Sequence, residues 1–255
     1  MTGLDDAFLA QPLAHRALHD VTGGRPENSR AAIRAAIANG YGIEIDLQLS
    51  RDGRAMVFHD YDLARLTGEK GAVQQCTAEE LSAIYLTGSE EGIPTLAEVL
   101  KLVDGRVPLL IELKDQHGQM GETDGRLEHA TAQDIKGYGG PVALMSFNPH
   151  SVIMLAQLCP DIPRGIVTCG YPPEDWTMLS DETRAHLREI PDYDAAGAVF
   201  ISHQVSDLDR PRVAGLKAKG ANVLCWTVRS AEVEAKARKV ADNITFEGYL
   251  AVKPS

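Results

Sequence analysis

Short apolar tracts alternate with helical stretches along nearly the whole chain, and eight such tracts can be counted: Leu13 to His15, Gly42 to Ser50, Val107 to Leu113, Val142 to Phe147, Arg164 to Thr168, Ala198 to Ser202, Asn222 to Val228 and Asn243 to Phe246. Between them lie helical runs such as the one from Asn28 or Ser29 to about Asn39-Gly40, Thr95 to Val103, Ala130 to Lys136, Pro149 to Leu158, Asp181 to Ile190, Arg210 to Lys219 and Ala231 to Val240. Strands that alternate with helices pair in parallel, because a parallel pair needs a crossover connection. Eight of them in 255 residues match the count and length of a closed (β/α)8 TIM barrel. No Gly-rich dinucleotide fingerprint follows the first strand, which counts against an open doubly wound sheet. The expectation is an α/β protein with one barrel domain spanning residues 1–255.

Two departures from the rhythm are legible. Arg51-Asp52-Gly53-Arg54 carries the Asp-Gly turn signal, so Ala55 to His59 should return antiparallel to the second strand. Residues 61–92 are polar and broken by glycines, with one helical piece near Ala78 to Ile84, and read as an insertion after the second strand. Thr95 with Glu98 three residues later has capping-box spacing and marks where the regular pattern resumes.

Charges interrupt two of the apolar tracts. Glu44 and Asp46 stand two apart in Gly-Ile-Glu-Ile-Asp-Leu, and Glu112 and Lys114 two apart in Leu-Ile-Glu-Leu-Lys. Residues two apart on a strand share a face, so these are paired charges on otherwise buried strands. Burying a charge is costly unless a partner or metal compensates. In a barrel the C-terminal strand ends carry the chemistry, and His15 with Arg16, Glu44 with Asp46, His59 with Asp60, and Glu112 with Lys114 all fall there. Three neighbouring carboxylates stay ionised around a cation, and all-oxygen ligands suit Mg²⁺ or Ca²⁺ better than zinc. Arg16 and Lys114 beside it make an anion site. His15 and His59 are proton carriers near neutral pH. Taken singly these residues have plainer readings: a structural histidine, a simple Glu-x-Lys ion pair, a loop-capping Asp60. Their convergence on one rim favours a site. Trp226 is either core or an apolar wall of the pocket, the remaining histidines read as solvated or structural, and Gly23-Gly24 as a flexible turn.

The formal net charge of −11 argues against nucleic acid as a partner, since phosphate binding relies on basic surface. Cys76, Cys159, Cys169 and Cys225 are widely spaced and read as reduced packing residues. The opening residues lack a basic stretch followed by an apolar core, and no segment approaches the ~20 apolar residues of a membrane span. The reading is a soluble, cytoplasmic protein without stable membrane insertion, its oligomeric state left open.

The motifs His15-Arg16, Pro26-Glu27-Asn28-Ser29, Glu44-Ile-Asp46, Arg51-Asp52-Gly53, His59-Asp60, Ile93-Pro94-Thr95-Leu96 and Glu112-Leu-Lys114 resemble those of the glycerophosphodiester phosphodiesterases. Fainter echoes occur at Ser146-Phe147-Asn148 and Trp226-Thr227. The resemblance implies hydrolysis of small-molecule glycerophosphodiesters to sn-glycerol 3-phosphate and an alcohol, with a divalent cation, Mg²⁺ or Ca²⁺. It implies Glu44, Asp46 and Glu112 as metal ligands and His15 and His59 as acid and base. Arg16 and Lys114 would contact the phosphate, Glu27 and Asn28 would border the site, and Trp226 would wall it. Alternative readings are a phospholipase D-like enzyme on lysolipids or sphingolipids, a Schiff-base barrel using Lys114, and a catalytically silent barrel that binds phosphodiesters.

The chain departs from the family pattern twice. Ala17 stands where glycine is usual after His-Arg, which should keep the first loop from freely adopting positive φ. The last strand reads Ile244-Thr245-Phe246-Glu247 in place of a Thr-Asp ending.

Overall fold

A computed structural model of the chain describes residues 3–253. Its strands are β1 (Leu13–Ala14), β2 (Gly42–Leu49), β3 (Ala55–Val57), β4 (Leu109–Leu113), β5 (Val142–Ser146), β6 (Arg164–Thr168), β7 (Phe200–Gln204), β8 (Asn222–Val228) and β9 (Asn243–Phe246). Eight pair in parallel in the order β1-β9-β8-β7-β6-β5-β4-β2, and β1 also pairs with β2, so the sheet closes. The (β/α)8 barrel expected from the alternation is borne out. Only β3 runs antiparallel, against β2 with Leu47 opposite Val57, as the Asp-Gly turn predicted.

The alternation along each strand sorts the core into two layers. Ile43, Ile45, Leu47 and Leu49 of β2 and Leu109, Ile111 and Leu113 of β4 face outward and pack against the helices. The barrel interior is filled by Leu13, Leu110, Ala143, Met145, Val167, Phe200 and Leu224. At the barrel's N-terminal end Phe8, on the short helix Ala7–Ala10, is fully buried against these residues. Asn243 anchors that helix by donating from Nδ2 to the carbonyls of Phe8 and Gln11 at 2.7 and 2.6 Å. Gly165 gives the Phe200 ring its room, because a Cβ there would lie 2.3 Å from it.

Local signals explain most helix starts. Ser29 accepts from the Ala32 amide ahead of the helix Arg30–Ala38, and Thr95 with Glu98 forms a complete capping box ahead of Leu96–Val103. Several boundaries shift by one to four residues from the sequence reading, and two of the shifts have a visible cause. The helix expected from Ala130 starts at Arg126, where Gly125 at φ +78° turns the chain into it. Strand β7 runs from Phe200 to Gln204 and not from Ala198 to Ser202, because its register with β6 pairs Gly165 with Phe200 and Thr168 with His203. His203, one of the histidines read as solvated or structural, is therefore a buried strand residue bonded to Thr168 at 2.7 Å.

Residues 61–92 form a small layer of their own, in which Leu63, Leu66, Val73, Leu81 and Leu86 bury against Met56, Phe58 and Ile93. Ala17 does adopt positive φ, +64°, next to Arg16 at +52°. The left-handed region costs a non-glycine residue roughly 1–2 kcal/mol. Burial of Ala17 and the bonds from its amide to the carbonyls of Glu44 and Ala14 hold it there.

Candidate active site

Continuing the alternation upward from the Leu13 and Leu110 layer turns His15, Glu44, Asp46 and Glu112 into the barrel mouth. Asp46 lies opposite Glu112 in the β2–β4 register. His15, Arg16, Glu44, His59, Glu112 and Lys114 line one side of a cavity of about 140 Å³. Met145, Phe147, Val167 and Trp226 supply its apolar side. Trp226 thus belongs to the wall, held by its Nε1–H donating to the Ser202 carbonyl at 2.9 Å, with its ring edge-to-face against Phe147.

Glu44, Asp46 and Glu112 are buried, and each offers a carboxylate oxygen within 4.8 Å of the others'. Their charge balance is incomplete. Lys114 Nζ lies 2.6 Å from Glu112 and 2.7 Å from Asp46, and Arg16 Nε lies 3.6 Å from Asp46, two positive charges against three carboxylates. Burial and the charges of Asp46 and Glu112 push the Glu44 carboxyl well above its usual range. Burial alone would raise Asp46 too, but Lys114, His59 and Arg16 outweigh it and hold that carboxyl far below normal. Despite the close ammonium, Asp46 Oδ1 has no well-aligned hydrogen-bond donor. An all-oxygen, over-negative, buried donor set with a spare lone pair fits a hard divalent cation. Burial disfavours the Lys114 ammonium, yet Asp46 and Glu112 more than compensate and raise its pKa, which favours the charged form over the neutral amine that a Schiff base requires.

Each of the two histidines is backed by a carboxylate outside this triad. His59 Nδ1 is 2.6 Å from Asp60, the next residue. His15 Nδ1 is 2.5 Å from Glu247, the residue just past β9. An ionised carboxylate can only accept, so Nδ1 carries a proton in both rings, and Nε2 is left for other partners. Arginines hold the carboxylates in turn. Arg65, from the inserted segment, forks onto both oxygens of Asp60 at 2.6 and 2.8 Å and both oxygens of Glu27 at 2.9 Å. Arg229 Nε donates to Glu247 at 2.7 Å.

Arg16 and Lys114 reach the cavity, but Glu27 and Asn28 do not line it. Glu27 accepts from Arg16 at 2.7 Å, and Asn28, at φ +59°, donates from Nδ2 to Asp46 at 2.9 Å. They stand behind the wall: Glu27 braces Arg16, which forms part of it, and Asn28 braces Asp46 of the acidic triad. Sequence reasoning assigned nothing to Glu247, Arg65 and Arg229. Glu247 carried a usable signal, a charged residue directly after an apolar strand, as His15 and Lys114 do. Arg229, directly after β8, shared that signal, and Arg65, on the exposed side of a short helix in the inserted segment, gave none.

Residues 15–243 match the glycerophosphoryl diester phosphodiesterase family. YhdW of Bacillus subtilis is 32% identical over 234 residues, covering 88% of each chain. The glycerophosphodiester phosphodiesterase of Caldanaerobacter subterraneus is 30% identical over 230 residues, covering 86% of this chain and 87% of its own. Among solved structures, an Oleispira antarctica phosphodiesterase in complex with the product sn-glycerol-3-phosphate superposes with a TM-score of 0.77 at 25% identity over 94% of both chains. The chain belongs to the glycerophosphoryl diester phosphodiesterase family and is a phosphoric diester hydrolase.

Proposed function

We propose that this chain hydrolyses glycerophosphodiesters to sn-glycerol 3-phosphate and an alcohol, in a single barrel domain, with His15 and His59 as the proton carriers. The observation that carries the reading is the pairing, in one small cavity, of a buried acidic triad with two carboxylate-backed histidines. The product bound in the Oleispira antarctica relative supports the choice of substrate.

Glu44, Asp46 and Glu112 would hold Mg²⁺ or Ca²⁺, which when bound neutralises charge that develops on the phosphoryl oxygens. Arg16 and Lys114 add fixed positive charge on the same side and bind the phosphate. Glu27 and Asn28 keep Arg16 and Asp46 in place. The neutral histidine takes the proton of the attacking oxygen at Nε2, and the other, starting as the imidazolium with protons on both Nδ1 and Nε2, gives its Nε2 proton to the departing alkoxide. Trp226 and Phe147 bound the organic part of the substrate on the apolar side.

Product analysis over a panel of glycerophosphodiesters, each run with Mg²⁺, Ca²⁺ and chelator, tests this. Chelator should abolish release of glycerol 3-phosphate, and His15→Ala and His59→Ala should each lower kcat by at least ~10²-fold. Full activity in chelator, or in either variant, sinks the proposal. Turnover confined to lysolipids would favour the phospholipase D-like reading, and tight binding without product a silent barrel.

A further inference from the structure

The role of Glu247 is open: it lies after the last strand, where the usual Thr-Asp ending is absent. We propose that Glu247 is the positioning residue for His15, fixing the ring with its proton on Nδ1 and its Nε2 turned to substrate. The proposal rests on the reading of His15 as a proton carrier.

Backbone geometry brings the two residues together from opposite ends of the chain. The His15 amide donates to the Phe246 carbonyl at 2.9 Å, and the Glu247 amide to the Val228 carbonyl at 3.0 Å. Alternation decides which residue faces inward. Thr245 lines the cavity, whereas the Phe246 ring turns outward and packs on Tyr41 with centroids 4.8 Å apart. An acid at 246 would enter that apolar layer, and at 247 it returns to the barrel side.

The side chain is held at both oxygens. Oε2 meets His15 Nδ1 at 2.5 Å and Oε1 accepts from Arg229 Nε at 2.7 Å. Burial favours a neutral carboxyl, but the bonds from His15 and Arg229 and the nearby His19 ring outweigh it and keep Glu247 ionised. His19 Nε2 approaches the same Oε2 only to 3.6 Å, from the side of a separate groove of about 550 Å³. The direct bond is therefore to His15. Hydrogen bonding of one ring nitrogen selects the tautomer and aims the other. Asp60 does the same for His59, so both proton carriers are oriented by acids outside the metal triad.

The test uses the full-length chain with Glu247→Met, which keeps the length and removes the acceptor, and Glu247→Gln, which retains an acceptor oxygen. Glu247→Met should lower kcat by about 10²-fold with KM changed by less than about twofold, as expected when an interaction acts on chemistry and not on binding. Glu247→Gln should recover part of the loss. In ¹⁵N NMR spectra of the cation-free protein, His15 should show a bonded Nδ1–H in wild type and in Glu247→Gln, and lose it in Glu247→Met. Wild-type kcat in a folded Glu247→Met variant, or a wild-type His15 ring protonated on Nε2 alone, overturns the proposal. If Glu247→Met fails to fold, the wild-type spectrum and the Gln variant decide. Loss of activity in His15→Ala beside wild-type behaviour of both Glu247 variants refutes this inference and leaves the proposed function standing. An active His15→Ala refutes the reading beneath it.

Discussion

Glu44 is the residue at which the charge imbalance of the mouth is greatest. Its carboxyl is raised by burial and by Asp46 and Glu112. A carboxyl whose folded pKa lies above its unfolded value, about 4.3 for Glu, contributes stability below that pH. The contribution is lost as pH rises toward the folded value. In chelator at pH 7 wild-type protein should thus be destabilised by Glu44, and Glu44→Gln should melt higher, by about 2–4 °C for each kcal/mol relieved. With a saturating divalent cation the order should reverse, because wild type then binds the ion better. Thermal melts with and without cation check both signs, and a Glu44→Gln variant that melts below wild type in chelator would contradict the argument. Glu44, Asp46, Glu112 and Lys114 were legible in the sequence because a charge in an apolar strand needs a reason and spacing by two assigns a face. The partners of Glu247, Arg65 and Arg229 were not, because a charge just past a strand end or on an exposed helix face needs no reason until its neighbour is known. Asn28 was legible as a site residue, but its actual contact, a bond to Asp46, depends on a loop at φ +59° that no spacing announces.

At the scale of single elements, capping chemistry was read most accurately. Thr95 and Glu98 exchange both bonds of the capping box, and both oxygens of Glu98 also accept from Nη2 of Arg30 on the neighbouring helix. Thr95→Ala should cost about 1 kcal/mol, visible as a lower urea midpoint at unchanged slope. A change of slope would mean that more than the cap had been lost. The start of the helix Arg126–Ile135 was missed because Arg126-Leu127-Glu128-His129 has only one apolar residue to set the period, and the structure starts the helix from the turn at Gly125. The shift of β7 has another cause. Val199, Phe200 and Ile201 look like the centre of a strand, but pairing with β6 and β8 pulls His203 and Gln204 into the ladder. Backbone groups in a closed sheet must all find partners, and that requirement overrides local hydropathy.

At the scale of the whole molecule, closure turns separate strand ends into one cavity. The interior depends on a few large side chains, of which Phe200 over Gly165 is the clearest. Phe200→Ala should cost about 3–5 kcal/mol from lost burial and the cavity left behind. Urea denaturation measures it, and a loss below about 1 kcal/mol would mean that the interior refills. The inserted layer acts at this scale too, since Arg65 reaches from it to Asp60 and Glu27 at once. The sequence by itself determined the barrel, the buried acidic triad and the two histidines, because hydrophobic period and the cost of buried charge are local quantities. Only the tertiary structure decided which carboxylate orients His15, that Glu27 and Asn28 stand behind the cavity, and that Ala17 takes a left-handed turn. Those outcomes rest on contacts between residues up to 232 positions apart, and such contacts exist only once the sheet has closed.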